Sequence, residues 1–538
     1  MQFLAGRGQF GATDARRLTA IVAGSLIVFL LVSAWLLVRQ PLDYYYDDAL
    51  FYLQIGRSFA EGRGLEFARD IQTNGFHPAW MLVCAMIARI GDGDPWRMIA
   101  IVGVVTAGLA IAWSAVCWFG LKRHFAAATV GLGLIVAIPY ALFAGVGMES
   151  PLAILLFAAF MVSGLGVVTT GTARSLMLAA LFGGLTVFAR IDLLFIIMPP
   201  AALLAWSEAR RARSLGAFAA RALPAFVLGV VPVAAWLAFN RVTFGAATPI
   251  SGMLKLASAS AHRQFPVLNG VVLLILAVVV ATTALAALRW REPRQQFAVA
   301  IGIGQLLFVA YLFVAGHREA YAWYFVPLSA SLALLVPAGI SGAAIFGRRG
   351  IANDRRAMSA LLLVGTVGLI VAASALLLRT TSRNSADATW FTGERSLGRV
   401  ARANGIDTVL AFDLPGQLAF LDGLNVIAAD GLTTNLRFQH ELRQHGIAWL
   451  LATYHVRGIV APRLEDPRWP ASTCTDLYLN AIRFICETTP SGRRLRAIRF
   501  LSRLDGSAIG EVEVAGLRRL DIALDRKIDV YVLPRPPR

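Results

Sequence analysis

The sequence predicts an α-helical polytopic membrane protein of about 11 transmembrane helices with a C-terminal α/β domain outside the bilayer. Three observations carry that expectation. Of 538 residues, 57% are apolar and only 15% charged, and the apolar residues recur in blocks about a bilayer thick. Basic residues gather in short segments between the blocks: Arg16 and Arg17; Arg210, Arg211 and Arg213; Arg291 and Arg294; Arg348, Arg349, Arg355 and Arg356. A net charge of +18 distributed in this way reads as cytoplasmic loops under the positive-inside rule, so the chain is expected to have a membrane and no nucleic acid as its partner. After Arg383 the composition shifts to alternating strand-like and helix-like runs.

Taken in order, the blocks expected to cross are 18–38, 97–120, 125–145, 151–169, 174–190, 191–207, 222–240, 267–289, 296–315, 321–346 and 359–379. The first reads as a signal anchor, because it is too long for a cleavable signal peptide and lacks a small-residue cleavage site. The stretch 78–91 is too short to cross, and parity assigns it a re-entrant or surface position: with Arg16 and Arg17 inside, the basic loops fall inside only if this stretch does not span. The expected division is a transmembrane catalytic domain over 1–382, with a first outward loop at 39–96, and an outward α/β domain over 383–538. In that second domain DTVLAFD (407–413), GIVAP (458–462) and DVYVL (529–533) read as strands, and LRFQHELRQHG (436–446) as a helix. Cys84 and Cys117 lie in apolar stretches and read as inert packing residues, whereas an outward location permits a disulfide between Cys474 and Cys486.

Residues that interrupt the pattern are candidates for chemistry. The first loop opens DYYYDDALFYLQIGRSFAEGRG, in which Phe51, Tyr52, Ile55 and Phe59 recur at helical spacing while Gln54, Arg57, Ser58 and Glu61 face away. That pattern predicts an amphipathic helix along the membrane surface with Asp47 and Asp48 at its start. Helix capping needs one acid; the second, among tyrosines, suits a general base. Downstream, TNGFHPAW places Asn74 and His77 in a polar turn, where His77 is either structural or positioned to orient a phosphate, a sugar or a metal. Glu149 in GVGMESPL and Arg190 with Asp192 in FARIDLL interrupt apolar sequence, so they read as functional or as a structural ion pair. Lysine occurs three times among 50 basic residues, and Lys255 in TPISGMLKL is the one in an outward membrane-proximal loop, where a compact charge suits a phosphate. A second outward cluster, AGHREAYAWYFVPL, holds His317, Arg318 and Tyr324.

In this order, DDALFYLQIGRSFAEGRG, TNGFHPAW, GMESPL, FARIDLL, TPISGMLK and WYFVPL resemble the GT-C class of integral-membrane glycosyltransferases. That class includes protein O-mannosyltransferases, the lipid A aminoarabinose transferase and mycobacterial arabinofuranosyltransferases. The stretch AFDLPGQLAFLDGLNVIAADGL (411–432) resembles the post-membrane domain of the branch with the terminal arabinofuranosyltransferase. FARIDLL departs from the class pattern at Ile191, where proline is common, and AFDLPGQ departs at Leu414 and Pro415.

The resemblance implies a bacterial inner-membrane enzyme that moves a sugar from a polyprenyl-phosphate donor to a hydroxyl of an extracytoplasmic glycan, lipid or protein, with inversion. One of Asp47 and Asp48 would be the base, with Lys255 and Arg190 or Arg318 stabilising the departing phosphate. Some members use a divalent cation, for which Asp47, Asp48, His77 and Glu149 supply ligand types. The sugar implied is a pentofuranose such as arabinofuranose. A hexose such as mannose and a non-enzymatic lipid-linked sugar flippase are the alternatives; an odd number of spans and the absence of an internal repeat count against the flippase.

Overall fold

The computed structural model describes residues 12–39, 45–254, 270–314, 321–346, 397–412, 415–462, 482–489, 492–520 and 528–534. The membrane part comprises α1 (Ala12–Arg39), α2 (Asp47–Ala60), α3 (Pro78–Ile90), α4 (Pro95–Leu121), α5 (Ala127–Phe143), α6 (Ser150–Thr170), α7 (Ala173–Ala189), α8 (Leu194–Arg211), α9 (Leu215–Phe244), α10 (Gly270–Ala287), α11 (Pro293–Val314) and α12 (Val326–Phe346). Ten of the eleven blocks expected to cross are helical, and the eleventh, 359–379, lies outside the described residues.

Among the described residues, seven helices are long and apolar enough to cross a membrane by length and composition, while α3, α5 and α7 are shorter apolar helices and α1 has 28 residues. Of the blocks expected to cross, α5 and α7 fall short in length. α5 and α7 have 17 residues each, the lower limit of about 17 for a span. α3 has 13 residues, only about 20 Å at 1.5 Å per residue, and it packs chiefly on α2, in keeping with a non-crossing segment. α12 sits at the centre of the bundle against α5 and α10, with 89% of its apolar window buried, whereas α9, at 11%, turns most of its apolar surface outward. An all-apolar helix belongs in either setting, and only its neighbours decide which.

Local chemistry sets the helix ends. Pro78 and Pro95 occupy first-turn positions, where a missing N–H costs nothing, and the Asp94 carboxylate accepts from Arg97 N at 2.8 Å. Thr172 and Ser214 cap α7 and α9 in the same way. At the C-terminal end of α6, the Arg211 guanidinium donates to the carbonyls of Val167 (2.6 Å) and Val168 (2.9 Å), and Arg221 donates to that of Gly171 (2.5 Å). Buried Glu208 pairs with both arginines, at 3.0 and 2.9 Å. This ion cluster satisfies the carbonyls that every helix leaves open at its C-terminus.

The C-terminal part contains α13 (Leu397–Ala403), α14 (Pro415–Phe420), α15 (Leu436–Thr453) and eight strands: β1 (Thr408–Ala411), β2 (Asn425–Ala428), β3 (Gly458–Pro462), β4 (Ile482–Thr489), β5 (Gly492–Leu501), β6 (Ala508–Glu513), β7 (Arg518–Leu520) and β8 (Ile528–Val532). One sheet runs β2-β1-β3-β8-β7, with the first three strands parallel and β8 antiparallel to both β3 and β7. The runs expected at 407–413, 458–462 and 529–533 are its β1, β3 and β8. A second, antiparallel sheet, β4-β5-β6, was not anticipated. Its strands carry arginines at Arg483, Arg494, Arg496 and Arg499, which obscure the apolar alternation that marks a half-buried strand. Cys84 and Cys117 are free and buried, and Cys486 is disulfide-bonded. Cys474 and residue 383, the expected domain boundary, lie outside the described residues.

Candidate active site

The first loop, expected to face outward, folds as a helix enclosed on several sides. Of α2's 14 residues, nine are buried, including Gln54 and Ser58, and Phe59 stands out as exposed. The amphipathic helix expected from the sequence is present, and it packs between α3 and α14, the latter from the C-terminal domain. On its polar side Gln54 and Ser58 are buried and Arg57 is half-buried.

That packing separates the two acids at its start. Both oxygens of Asp47 accept backbone amides from the C-terminal domain: Gly416 N at 2.9 Å to Oδ2 and Gln417 N at 2.8 Å to Oδ1. The carboxylate thus caps α14. A Cβ on residue 416 would lie 2.4 Å from the carbonyl oxygen of Asp47, so glycine is required for this approach. Asp48, one residue on, lines a cleft of about 70 Å³ with Tyr52, His77, Glu149, Arg190 and Tyr324.

Each wall of the cleft is held by identifiable bonds. In TNGFHPAW, the Trp80 indole donates to Gly147 O at 2.9 Å, which ties α3 to the GVGMES segment and brings His77 beside Glu149. His77 N donates to the Tyr52 hydroxyl at 3.3 Å, and His77 Nε2 lies 3.8 Å from Glu149 Oε1. The Asn74 amide faces the segment after α9, donating to Thr248 O (3.2 Å) and accepting from Ile250 N (3.3 Å), which holds Ser251 at the cleft. Asn74 therefore braces the wall instead of facing the cavity. Gly75 sits so close to the C-terminal domain that a Cβ there would be 1.9 Å from Leu432 O. Leu432 closes that side of the cleft.

Arg190 marks a break in the bundle. It ends α7 in an extended conformation (φ −159°, ψ 107°) before a single 3-10 turn, Ile191–Leu193, leads into α8. Its guanidinium is 1% exposed and fully engaged: Nε reaches Asp192 at 2.9 Å, Nη2 reaches Asp192 at 3.0 Å, and Nη1 reaches Trp323 O at 3.0 Å and Ser150 Oγ at 3.3 Å. Glu149 Oε1 lies 3.7 Å from Nη1, and the cation stands 5.2 Å from the centre of the Tyr324 ring. Asp192 thus holds Arg190, while Glu149, 2% exposed, has its Oε2 without a hydrogen-bond partner among the described residues. A buried carboxylate oxygen in that state is costly without a further donor, which a bound polar ligand would supply.

The cleft so gathers Asp48, His77, Glu149, Arg190 and Tyr324 from the sequence candidates, with Asp192 behind Arg190. Lys255, His317 and Arg318 lie outside the described residues. Sequence reasoning passed over Ser251, four residues before Lys255 in the same motif, and Trp323. Leu432 carries no chemical signal at all, since only its backbone position matters. For a divalent cation the fit is poor: Asp47 is occupied by two amides, and among the described residues no group of three His, Cys, Asp or Glu side chains is arranged to hold a metal ion.

No protein-family model matches the sequence, and no curated protein matches it. Among solved structures, the chain is similar to ArnT from Cupriavidus metallidurans. The apo crystal structure aligns over 95% of this chain and 98% of that one at 14% identity with a TM-score of 0.49. The crystal structure bound to undecaprenyl phosphate covers the same shares at 14% identity with a TM-score of 0.45.

Proposed function

We propose that the chain is an inverting GT-C-type glycosyltransferase of the bacterial inner membrane, with Asp48 as its general base. The observation that carries the reading is the division of labour in the acidic pair. Asp47 is used up in joining the two parts of the protein, while Asp48 faces a cleft that also holds His77, Glu149 and Arg190. The ordered motifs of the sequence support the class, and the disulfide at Cys486 supports an oxidising, extracytoplasmic side for the C-terminal domain.

In this reading the donor is a polyprenyl-phosphate sugar, best assigned a pentofuranose, and the acceptor is a hydroxyl of an envelope glycan, lipid or protein. The hydroxyl oxygen attacks the anomeric carbon as its proton passes to the Asp48 carboxylate. The bond from the anomeric carbon to the phosphate oxygen breaks on the opposite face, which inverts the centre and releases polyprenyl phosphate. The phosphate leaves as a more highly charged anion, so cations must face it. Arg190 supplies one positive charge near Glu149 and Asp192, and its donors are committed to protein acceptors, so it acts through its field. Two carboxylates against one arginine do not favour a phosphate. Lys255 and Arg318 are the cations that the resemblance implies for the departing phosphate.

The test is turnover of radiolabelled polyprenyl-phosphate pentofuranose by the purified full-length protein, read as release of polyprenyl phosphate. Asp48→Asn is expected to lower kcat by about 10²-fold or more, in the range of general-base loss. Asp47→Asn is expected to retain the greater part of turnover. Full activity of the Asp48 variant would reject the base assignment, and turnover of a mannosyl donor alone would replace the pentose by a hexose.

A further inference from the structure

A second cleft, of about 240 Å³, lies on the other flank of α2 between that helix, the segment 61–69 and the C-terminal domain around Ala419 and Asn425. Where Asp48, Tyr52 and Ile55 face the first cleft, Gln54, Arg57 and Ser58 face this one. The helix is a shared wall, and nothing in the transfer mechanism uses this side of it.

The charges here are unevenly satisfied. Both carboxylates have protein donors: Glu61 is bound by Arg63, and Glu66 accepts from Gln72 Nε2 at 2.9 Å. Arg57 and Arg69, in contrast, have no carboxylate partner among the described residues. Arg57 is half-buried, its Nη2 donating to Gln54 Oε1 at 2.5 Å and its guanidinium lying 5.0 Å from the centre of the Phe420 ring. Burial, with Arg63 nearby, lowers its pKa to about 10. Arg69 is placed by its backbone, whose N–H donates to Asn425 Oδ1 at 2.8 Å, and its side chain is exposed at the rim. A half-buried guanidinium beside a neutral amide and an aromatic ring, with exposed Arg69 lining the same cleft, offers donors of the kind that take an oxyanion in bidentate fashion. Ser58 Oγ, which accepts from Arg63 Nη2 at 3.0 Å, keeps its O–H to donate, Phe67 offers an apolar face, and Asn425 is engaged by Arg69 N and Thr408 Oγ1.

We propose that this cleft binds a phosphate monoester, carried either on a saccharide or on a lipid headgroup, with Arg57 and Arg69 as its counter-ions. The site stands on its own geometry and does not depend on the transferase reading. Because its walls come from the first outward loop and the C-terminal domain together, occupancy would clamp the two.

The test uses the full-length protein in nanodiscs and follows modification of individual arginines by phenylglyoxal, read by peptide mass spectrometry. A guanidinium with a lowered pKa reacts readily, and a bound anion shields it. Glucose 6-phosphate at about ten times its dissociation constant is expected to slow modification of Arg57 and Arg69 roughly tenfold, by simple occupancy. Neutral glucose is expected to leave them unprotected, and exposed Arg97 is expected to react at its usual rate throughout. Protection by the soluble ester assigns a saccharide source, and protection only in nanodiscs containing phosphatidic acid assigns a lipid headgroup; either supports the site. In Arg69→Gln the protection of Arg57 is expected to weaken severalfold. Protection by neither ester, equal protection of Arg97, equal protection by glucose, or undiminished protection of Arg57 in Arg69→Gln would each overturn the proposal.

Discussion

At the scale of single residues, the acidic pair shows how position in the chain conceals role. Asp47 and Asp48 are adjacent and chemically identical, and each satisfies the helix dipole at the start of α2. What separates them is a pair of amides 369 and 370 residues away. Removing the Asp47 carboxylate leaves Gly416 N and Gln417 N without their acceptor, so Asp47→Ala is expected to destabilise the join between the two parts by about 1–3 kcal/mol. Gly416→Ala, whose Cβ would collide with the Asp47 carbonyl, is expected to cost a similar amount, about 1–3 kcal/mol from overpacking. Accelerated proteolysis within the C-terminal domain and a lower Tm, with α-helix content unchanged, would be the measured signs. Wild-type proteolysis rates in both variants would show that Asp47 does not hold the domain.

At the scale of elements, α2 and the α6–α8–α9 corner show what patterning conveys. The period of α2 was legible, and so was its start at the acids. Its partners were not, because an amphipathic stripe presents the same pattern to a bilayer as to another helix. The corner is similar. Arg210, Arg211 and Arg213 were legible as a basic connection between two apolar blocks, but the further use of Arg211 and Arg221 as caps on α6, with Glu208 between them, was not. Glu208 is 2% exposed, so Glu208→Gln would leave two guanidinium groups with reduced compensation near the membrane boundary. A loss of about 3 kcal/mol is expected, at the lower end of the cost of breaking a buried pair. It would be read as a lower Tm and yield in detergent; an unchanged Tm would mean that the carbonyls alone suffice for the arginines.

At the scale of the whole molecule, the C-terminal domain is part of the site and not an appendage. Leu432 closes one cleft, and Ala419 and Asn425 line the other. Asn435 Nδ2 also donates to Gln72 O, and Arg437 Nη2 donates to Val242 O at 3.1 Å, so the contact extends over the first loop and the end of α9. The proposed topology puts this whole face outside and the Lys122 loop inside. In intact spheroplasts, a cysteine replacing Asp505, which is exposed on the C-terminal domain, is expected to react with an impermeant maleimide, and one replacing Lys122 only after lysis. Labelling of residue 122 from outside would reverse the topology and with it the compartment assigned to the site.

The sequence by itself determined the membrane-spanning class, the helical blocks, three strands of the C-terminal sheet and the short roster of polar residues from which a site is made. Apolar period, basic loops and ionisable groups in apolar surroundings are local properties, and they survive without knowledge of the neighbours. Tertiary structure alone decided that α2 is enclosed, that Asn74 braces a wall, that Asp192 holds Arg190, and that Asp47 is spent on α14 while Asp48 faces the cleft. Each of those outcomes depends on which distant backbone amide or carbonyl lies within hydrogen-bond reach, and the identity of a residue does not specify that distance.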